Sequence, residues 1–172
     1  MKTKRILCFA LVLSGVLFGC STTNKQVSGL PIRYHNAQYD FTFYLPESWK
    51  GYSVLTEQWD DSHYSQTADG FVTTERGPFV ILRHPQWTSS EPYQDIPILV
   101  FTSEQWNKQL KGDLWPSRFA GGVMDELWHN HKYVFAISSR YNAADDVKGW
   151  REAADIIATN CAAYPEPHLR DE

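Results

Sequence analysis

The segments FVILRH, residues 79–84, and IPILVFT, residues 96–102, decide the fold, because both are nearly continuous runs of branched apolar residues. A strand with one face in solvent alternates apolar and polar residues, whereas a strand covered on both faces is apolar throughout. We therefore predict that the two segments are central strands of one sheet. Pro97 has no amide hydrogen to donate, so it belongs at the start of its strand or at an edge.

Further strands are predicted on either side of this central pair. The segment QYDFTFYLP, residues 38–46, alternates apolar and polar residues with the two-residue period of a half-buried strand. The segment YSVLTEQW, residues 52–59, begins the next strand, and the polar residues 60–70 are the expected loop of a long hairpin. MDELWH and KYVFAIS flank a polar tip at residues 129–131, which predicts a second hairpin over residues 124–138.

A short helix from Thr102 to Leu110 is predicted directly after the second central segment. Thr102 and Gln105 have the spacing of a capping box, in which each side chain bonds the backbone of the other residue. Trp106 and Leu110 are expected to form an apolar pair on one face. Gly112 is expected to end the helix.

The last predicted element is a C-terminal helix capped by Asp145 or Asp146. One of its faces carries an apolar set made of Val147, Trp150, Ala154, Ile157 and Cys161. Strands, a short helix, more strands and a final helix predict an α+β class, an antiparallel sheet with a middle helix and a C-terminal helix packed on it. The single domain is expected over residues 34–161, followed by a loosely ordered tail of prolines and charges at residues 162–172.

The N-terminus has the pattern of a secretory signal. Three basic residues among the first five precede a thirteen-residue uncharged run, residues 6–18, which is shorter than the roughly 20 residues that span a bilayer. The sequence LFGC at residues 17–20 resembles the bacterial lipobox, in which the signal is cut before the cysteine and the cysteine is acylated. The resemblance implies a signal peptide at residues 1–19, lipidation of Cys20, and a flexible tether over residues 20–33.

Lipidation implies a place for the domain. One acyl chain binds a membrane only marginally, at about 0.8 kcal/mol per buried methylene, so two or more chains make a stable anchor. Ser21 follows the cysteine, and the absence of aspartate there favours the outer membrane in Gram-negative bacteria. We therefore expect a cell-envelope protein whose domain lies outside the cytoplasm and contacts the membrane through the lipid.

Charge and cysteine content exclude several classes of function. Without residues 1–19 the chain would carry 13 basic and 20 acidic residues, a formal net charge of −7. Such an acidic domain is a poor binder of nucleic acid or of anionic membrane surfaces. If Cys20 is acylated and Cys8 leaves with the signal, only Cys161 remains, which allows no intramolecular disulfide. No motif predicts a cofactor.

Two further resemblances concern the fold. The segment YDFTFYLPESW, residues 39–49, is similar to the opening of PsbP-like and Mog1-like domains, in which an aromatic-rich strand runs into Pro and Trp. Residues 77–106 together with residues 132–142 look like a group of bacterial secreted proteins. These resemblances imply a compact sandwich of sheet and helices, and they imply no catalytic activity.

The residues that follow the first central segment are candidates for a ligand site. Arg83 could bind a carboxylate with two hydrogen bonds, with Trp87 and Tyr93 as an apolar wall and His84 beside them. Asp95 is close enough in sequence to pair with Arg83 instead, in which case the cluster is structural. Both interpretations stand at this point.

His129 and His131 are candidates for a metal site, because residues i and i+2 of a strand share a face. A site would need a third ligand, such as Asp125 or His84. The alternative is a hairpin tip whose two histidines face water, and the sequence favours this alternative.

The sequence contains none of the G-x-S-x-G, H-E-x-x-H or glycine-rich phosphate-binding motifs. Cys161 lies on the apolar face of its predicted helix near the C-terminal end, where the helix dipole disfavours a thiolate. Tryptophans in or beside loops could form an exposed rim that stacks on sugars or anchors a partner, or could fold back onto the core. These are Trp59, Trp87, Trp115 and Trp128.

The expected function is therefore that of a lipid-anchored envelope protein acting as a non-catalytic interaction or accessory module, with an envelope protein or a glycan as partner. The first alternative is a lipoprotein that binds a small ligand or a glycan. The second is a hydrolase with an unrecognised site. A flat apolar patch, a concave aromatic cleft and a cleft with a strongly perturbed ionisable group would favour these three in turn.

Overall fold

The computed structural model describes residues 29–65, 69–117, 123–141 and 147–163. Within these residues the chain forms an α+β fold, as predicted. The elements in chain order are β1 (Ile32–Asn36), β2 (Phe41–Leu45), a 3-10 turn (Glu47–Trp49), β3 (Ser53–Ser65), β4 (Gly70–Arg83), β5 (Ile96–Thr102), α1 (Ser103–Lys111), β6 (Met124–His129), β7 (Tyr133–Ser138) and α2 (Trp150–Ala163).

The signal peptide at residues 1–19, the lipidation site Cys20, the cap residues Asp145 and Asp146, and the chain after Ala163 lie outside the described residues. Among the described residues, no helix combines the length and the apolar character needed to cross a membrane.

Five strands form an antiparallel sheet in the order β3-β4-β5-β7-β6, and β1 pairs with β2 in a separate two-stranded sheet. β5 is the middle strand and β4 lies beside it, so the prediction of two central strands is confirmed. Pro97 is the second residue of β5 and lies opposite Ile81, which is the strand-start position that its missing amide hydrogen requires.

Apolar clusters cover both faces of the five-stranded sheet. Along β4, Phe79 and Ile81 belong to the cluster under α1, whereas Val80 and Leu82 belong to the cluster under the β1–β2 hairpin and α2. We call these the α1 face and the α2 face. Successive strand residues point to opposite faces, so an uninterrupted apolar run is what two covered faces require.

A bulge in β6 changes this alternation. The register of β6 against β7 shifts between Glu126 and Trp128, and Leu127 and Trp128 both join the α2-face cluster. A bulge inserts one extra residue and re-aims the side chains around it. The sequence period alone would have placed these two neighbours on opposite faces.

The predicted capping box of α1 is confirmed. The Gln105 amide donates to Thr102 Oγ1 at 3.2 Å, and the Thr102 amide donates to Gln105 Oε1 at 3.0 Å. Gly112 ends the helix with φ of +77°, a left-handed conformation that glycine adopts without a steric penalty. Trp106 is buried, but Leu110 is 49% exposed, so Trp106 alone of the expected pair belongs to the core.

Two predicted boundaries were wrong. β1 begins at Ile32 and Leu30 is buried in the core, so the ordered domain starts inside the stretch predicted as a tether, residues 20–33. Most of the predicted hairpin loop, residues 60–70, is strand, because β3 continues to Ser65 and β4 begins at Gly70. The polar composition of these residues therefore predicted a loop where the chain continues as paired strands.

The buried face of α2 also differs from the prediction. The helix continues to Ala163 and buries Ala153, Ile156, Ile157 and Asn160, while Cys161 is half-buried. The Asn160 side chain accepts from the Tyr44 amide at 2.8 Å and donates to the Tyr44 carbonyl at 2.9 Å. A buried side-chain amide that pairs with a strand backbone occupies a core position that an apolar pattern cannot reveal.

Candidate functional site

The five residues predicted as a ligand site lie together where β4 ends and β5 begins. Leu82 lies opposite Ile96, so the next positions, Arg83 and Asp95, extend the same antiparallel pairing. The chain between them folds back over the α2 face. The site is thus built by the register of two central strands.

Arg83 is engaged by its neighbours. Its Nε donates to Asp95 Oδ1 at 3.0 Å and its Nη2 donates to Asp95 Oδ2 at 2.7 Å. Its guanidinium carbon lies 3.8 Å from the centre of the Trp87 ring. The hydrogen bonds to Asp95 raise the pKa of Arg83, and the bidentate pair fixes the side chain in place. The pairing with Asp95 that the sequence left open is the one observed.

His84 is buried, with 3% of its surface exposed. Its ring stacks on the ring of Tyr93 at a centroid distance of 3.8 Å and an interplanar angle of 13°. The Trp49 ring lies at 86° to the same imidazole, with the two ring centroids 5.1 Å apart. His84 therefore serves as an aromatic layer between two other rings, on the α2 face.

The hydrogen bonds of His84 determine its tautomer. Nδ1 accepts from the Gln86 amide at 3.1 Å, so the neutral ring carries its proton on Nε2. Nε2 is buried and forms no hydrogen bond of normal geometry. Burial lowers the pKa of the imidazole, and the nearby Glu152 carboxylate opposes this shift without cancelling it.

Glu152 joins three distant segments and was not predicted as a site residue. One carboxylate oxygen accepts from Tyr93 Oη at 2.8 Å and the other accepts from Ser48 Oγ at 2.5 Å. Burial, reinforced by Glu152, raises the pKa of Tyr93 to about 12. Ser48 and Glu152 are 104 residues apart, so no local pattern could have shown their contact.

The segment before α2 is held against the same tyrosine. The Gln94 amide donates to the Lys148 carbonyl at 2.8 Å, and Lys148 Nζ lies 2.9 Å from Glu91 Oε1. Gly149 has φ of +81°, and a Cβ there would lie 1.9 Å from the Tyr93 ring. Only glycine allows this close approach.

We call the group formed by Ser48, His84, Tyr93, Gly149 and Glu152 the Tyr93 cluster. Its hydroxyls donate to a carboxylate, and its imidazole has one nitrogen occupied by a backbone amide. Ser48 faces the Glu152 carboxylate, whereas an activated serine would face an imidazole base. The arrangement ties the 3-10 turn, the loop after β4 and the first turn of α2 into one unit.

The two histidines of the possible metal pair have different surroundings. His129 Nδ1 lies 2.8 Å from Glu126 Oε1, while His131 is exposed in the turn after β6. His84, one of the two suggested third ligands, is enclosed by Trp49 and Tyr93. Over the described parts of the chain, no three histidine, cysteine, aspartate or glutamate side chains are grouped as metal ligands.

A shallow groove of about 220 Å³ lies between α2 and the end of the β6–β7 hairpin. It is lined by Asp125, Ile137, Ser138, Ser139, Tyr141, Ala154, Ile157 and Ala158. The hydroxyl of Tyr141 is already used, since it donates to the Asp95 carbonyl at 2.6 Å. The volume is below the range of about 300–1,000 Å³ that small-molecule sites occupy.

The suggested rim of tryptophans does not form. Trp59 and Trp128 are buried, so they fold back onto the core, and Trp87 is half-buried under Arg83. Trp115 differs, with 51% of its surface exposed. Of the four tryptophans considered, Trp115 alone presents a large aromatic surface to solvent.

The half-buried thiol of Cys161 packs on the α2-face cluster. Burial raises the pKa of this thiol, which disfavours the reactive thiolate.

Protein-family models, curated proteins and solved structures were compared with the chain, and none matches it.

Proposed function

We propose that this chain is a lipid-anchored protein of the bacterial cell envelope whose domain acts as a non-catalytic interaction module. The lipobox-like residues 17–20 support the anchor, and the net acidic domain supports contact with the membrane through lipid alone. The likeness of residues 39–49 to PsbP-like domains supports an accessory role, since such domains assist larger assemblies.

The exposed indole of Trp115 is the observation that carries the interaction role. Its Nε1 donates to the Gly112 carbonyl at 2.6 Å, and its backbone amide donates to Asp61 Oδ1 at 3.1 Å. The ring is therefore held in place while its apolar surface stays in solvent beside the C-terminal end of α1. A rigid, exposed tryptophan loses little entropy on binding, and tryptophan is enriched among the residues that dominate interface energies.

The Tyr93 cluster and the Arg83–Asp95 pair also support a non-catalytic role, because they disfavour a small-ligand site at these residues. Their polar groups are directed at one another, so the residues best suited to hold a small ligand already hold the fold together. A glycan-binding lipoprotein is the second candidate, because sugar rings also stack on an exposed indole such as that of Trp115. The hydrolase alternative gains no support from the described residues.

The interaction role is tested by placing a photo-reactive phenylalanine analogue at position 115 of the full chain in living bacteria. We expect ultraviolet light to give adducts of defined mass. The matched control carries the analogue at Arg140, which is exposed after β7, and should give none. Protein adducts would support the interaction module, and polysaccharide adducts would support the glycan-binding lipoprotein instead. Equal labelling at both positions would overturn the interaction role.

The anchor is tested separately by fractionating cells that express the full chain or its Cys20→Ser variant. We expect the parent in the membrane fraction and the variant either soluble or retained as an unprocessed precursor of higher mass. A variant that is processed and still partitions with membranes like the parent would show that Cys20 is not the anchor.

A further inference from the structure

The segment between β4 and β5, residues 84–94, lies across the α2 face, and we call it the strap. Its inward-facing side chains are few. His84 is buried and Tyr93 is half-buried, and Trp87 lies under Arg83, whereas most of the other strap residues are exposed. Because the rings of His84 and Tyr93 stack on each other, this one stacked pair is the main side-chain attachment of the strap.

The far part of the strap is joined to the chain around the start of α2. The Tyr93 hydroxyl donates to Glu152 at 2.8 Å, and the Gln94 amide donates to the Lys148 carbonyl at 2.8 Å. Lys148 Nζ also lies 2.9 Å from Glu91 Oε1. These polar contacts hold the strap closed against α2 as long as the stacked pair keeps Tyr93 in place.

Both ends of the strap are fixed independently of this closure. Leu82 lies opposite Ile96 in the β4–β5 ladder. Directly beside that pair, Arg83 and Asp95 form the two-hydrogen-bond contact already described. The strap can therefore move away from α2 while its two ends stay together and the sheet stays paired.

The closed strap requires a neutral His84. Its Nδ1 accepts from the Gln86 amide at 3.1 Å, and a protonated imidazole donates from both nitrogens. Protonation would therefore set two donors against each other. At the other nitrogen, Nε2 is buried without a hydrogen bond of normal geometry. The Tyr93 ring lies nearly parallel to the imidazole, at 13°, so its face cannot accept a hydrogen that lies in the imidazole plane.

The charged and titratable groups around His84 act in both directions. The Glu152 carboxylate and the Ser48 backbone favour a positive charge on the ring, and the Lys148 ammonium opposes it. The Tyr93 hydroxyl is neutral near pH 7, since its pKa is raised to about 12. Burial is the largest influence on His84 and disfavours the charge, so the pKa of the imidazole is lowered.

We propose that protonation of His84 opens the strap, so that residues 84–94 leave the first turn of α2 while β4 and β5 stay paired. In the open strap, water can accept from both nitrogens of the ring and from the Gln86 amide. One proton drives the change, so the ratio of open to closed strap rises by at most about tenfold for each pH unit below about 6.5. This device belongs to the fold and does not rest on the proposed interaction role.

The test is hydrogen–deuterium exchange of the purified full chain at pH 7.5 and pH 5.5, followed by mass spectrometry of peptic fragments. After correction for the pH dependence of intrinsic exchange, fragments from residues 84–94 should be several-fold more open at the lower pH. Fragments from β5 should be unchanged. An equal increase in both regions would indicate loss of the whole fold and overturn a local opening, as would an unchanged strap.

Two further measurements assign the opening to His84. In His84→Gln the exchange of the strap should lose its pH dependence, whether the strap is closed or open in that variant, and the exposed control His131→Gln should respond like the parent. In the parent, the nuclear magnetic resonance signal of the His84 ring should titrate over the same pH range as the strap opens. A parent-like response in His84→Gln, or a ring that titrates while the strap stays closed, would overturn the proposal.

Discussion

The Tyr93 cluster and the packing around Trp59 use the same device in two settings. In each, a glycine lies where a Cβ would strike an aromatic ring, at 1.9 Å for Gly149 against Tyr93 and at 2.4 Å for Gly77 against Trp59. Trp59 is fully buried on the α1 face, and its indole donates to the Val100 carbonyl at 3.1 Å. Tyr93 is half-buried and donates to the carboxylate of Glu152.

The difference lies in what each ring holds. Trp59 and Gly77 face each other across the β3–β4 pair, so the ring stabilises a sheet that already exists. Tyr93 instead connects the loop after β4 to the first turn of α2, through its hydrogen bond to the ionisable carboxylate of Glu152. The same carboxylate accepts from Ser48 of the 3-10 turn. We therefore expect changes at Trp59 to act through lost apolar burial at every pH, and changes in the Tyr93 cluster to depend on pH.

The largest expected effect follows Trp59→Ala. Removing a buried aromatic side chain costs about 3–5 kcal/mol, because burial is lost and a cavity remains. Urea unfolding monitored by circular dichroism should show this loss. Trp59→Phe keeps a ring near Phe101, whose centroid lies 4.7 Å from that of Trp59, and should be the milder change. Equal losses would mean that the hydrogen bond to Val100, and not the ring, carries the stability.

The two glycines should respond differently to alanine. At Gly149 both the contact with Tyr93 and φ of +81° oppose a Cβ, and we expect a cost of about 2–5 kcal/mol, the sum of overpacking and left-handed strain. Gly77 carries the overpacking part alone, about 1–3 kcal/mol. Gly29→Ala is the control, because φ is +84° with no atom within 4 Å, so it isolates the backbone strain. A midpoint for Gly149→Ala equal to that of Gly29→Ala would refute the contact.

Glu152→Gln tests whether charge holds the Tyr93 cluster together. The variant keeps the shape of the side chain and loses the ionised acceptor for two hydroxyls, and hydrogen bonds to charged groups contribute about 1.5–3 kcal/mol each. Because Ser48 is exposed, we expect a total loss near the lower value. Chemical unfolding at neutral pH measures this loss. The outcome that contradicts the charge argument is a stability unchanged from that of the parent.

A smaller expected effect is a pH dependence from His84. Burial lowers the pKa of this imidazole in the folded state, so the unfolded state binds more protons once the pH falls below about 6.5. The stability contributed by neutral His84 is therefore present above this pH and is lost as the pH falls through it. Unfolding midpoints between pH 8 and 5 should show the decline in the parent. His84→Gln should flatten it relative to the exposed control His131→Gln, and parallel declines in both variants would assign the effect to other groups.

An alkaline decline is expected from Tyr93 for the complementary reason. Its pKa is raised to about 12 in the folded state, mainly by burial, so its contribution is complete below about pH 10, the ordinary value, and is lost as the pH rises towards 12. Unfolding midpoints from pH 9 to 12 should decline less in Tyr93→Phe than in the parent. An unchanged slope in that variant would remove Tyr93 as the cause.

Much of the fold could be predicted from local sequence. Alternation in residues 38–46, apolar runs at residues 79–84 and 96–102, and the Thr102–Gln105 spacing each predicted an element that the structure contains. These signals are local, since period and capping depend on neighbours within a few positions. The candidate ligand residues were also found to lie together, because Arg83 and Asp95 flank the paired ends of β4 and β5.

The failures have two physical causes. β1 and the outer part of the β3–β4 pair are formed with neighbouring strands, but their polar residues resemble a tether and a loop. The position of Asn160 in the core depends on a partner far along the chain, since Tyr44 lies 116 residues before Asn160. In a local sequence a polar residue predicts solvent exposure. The prediction fails where a distant backbone supplies the hydrogen bonds that allow the residue to be buried. The same applies to Glu152, whose role depends on Ser48 and Tyr93 and not on its own neighbours.

The sequence by itself determined the α+β class, the two central strands and the ends of the middle helix, because side-chain period and capping depend only on residues a few positions apart. Only the tertiary structure decided that Arg83 is paired with Asp95 and that Trp115 stays exposed while Trp59 and Trp128 are buried. These features depend on which surfaces meet when the sheet, the hairpin and the helices pack. Burial is a property of that packing, and no short segment of the chain contains it.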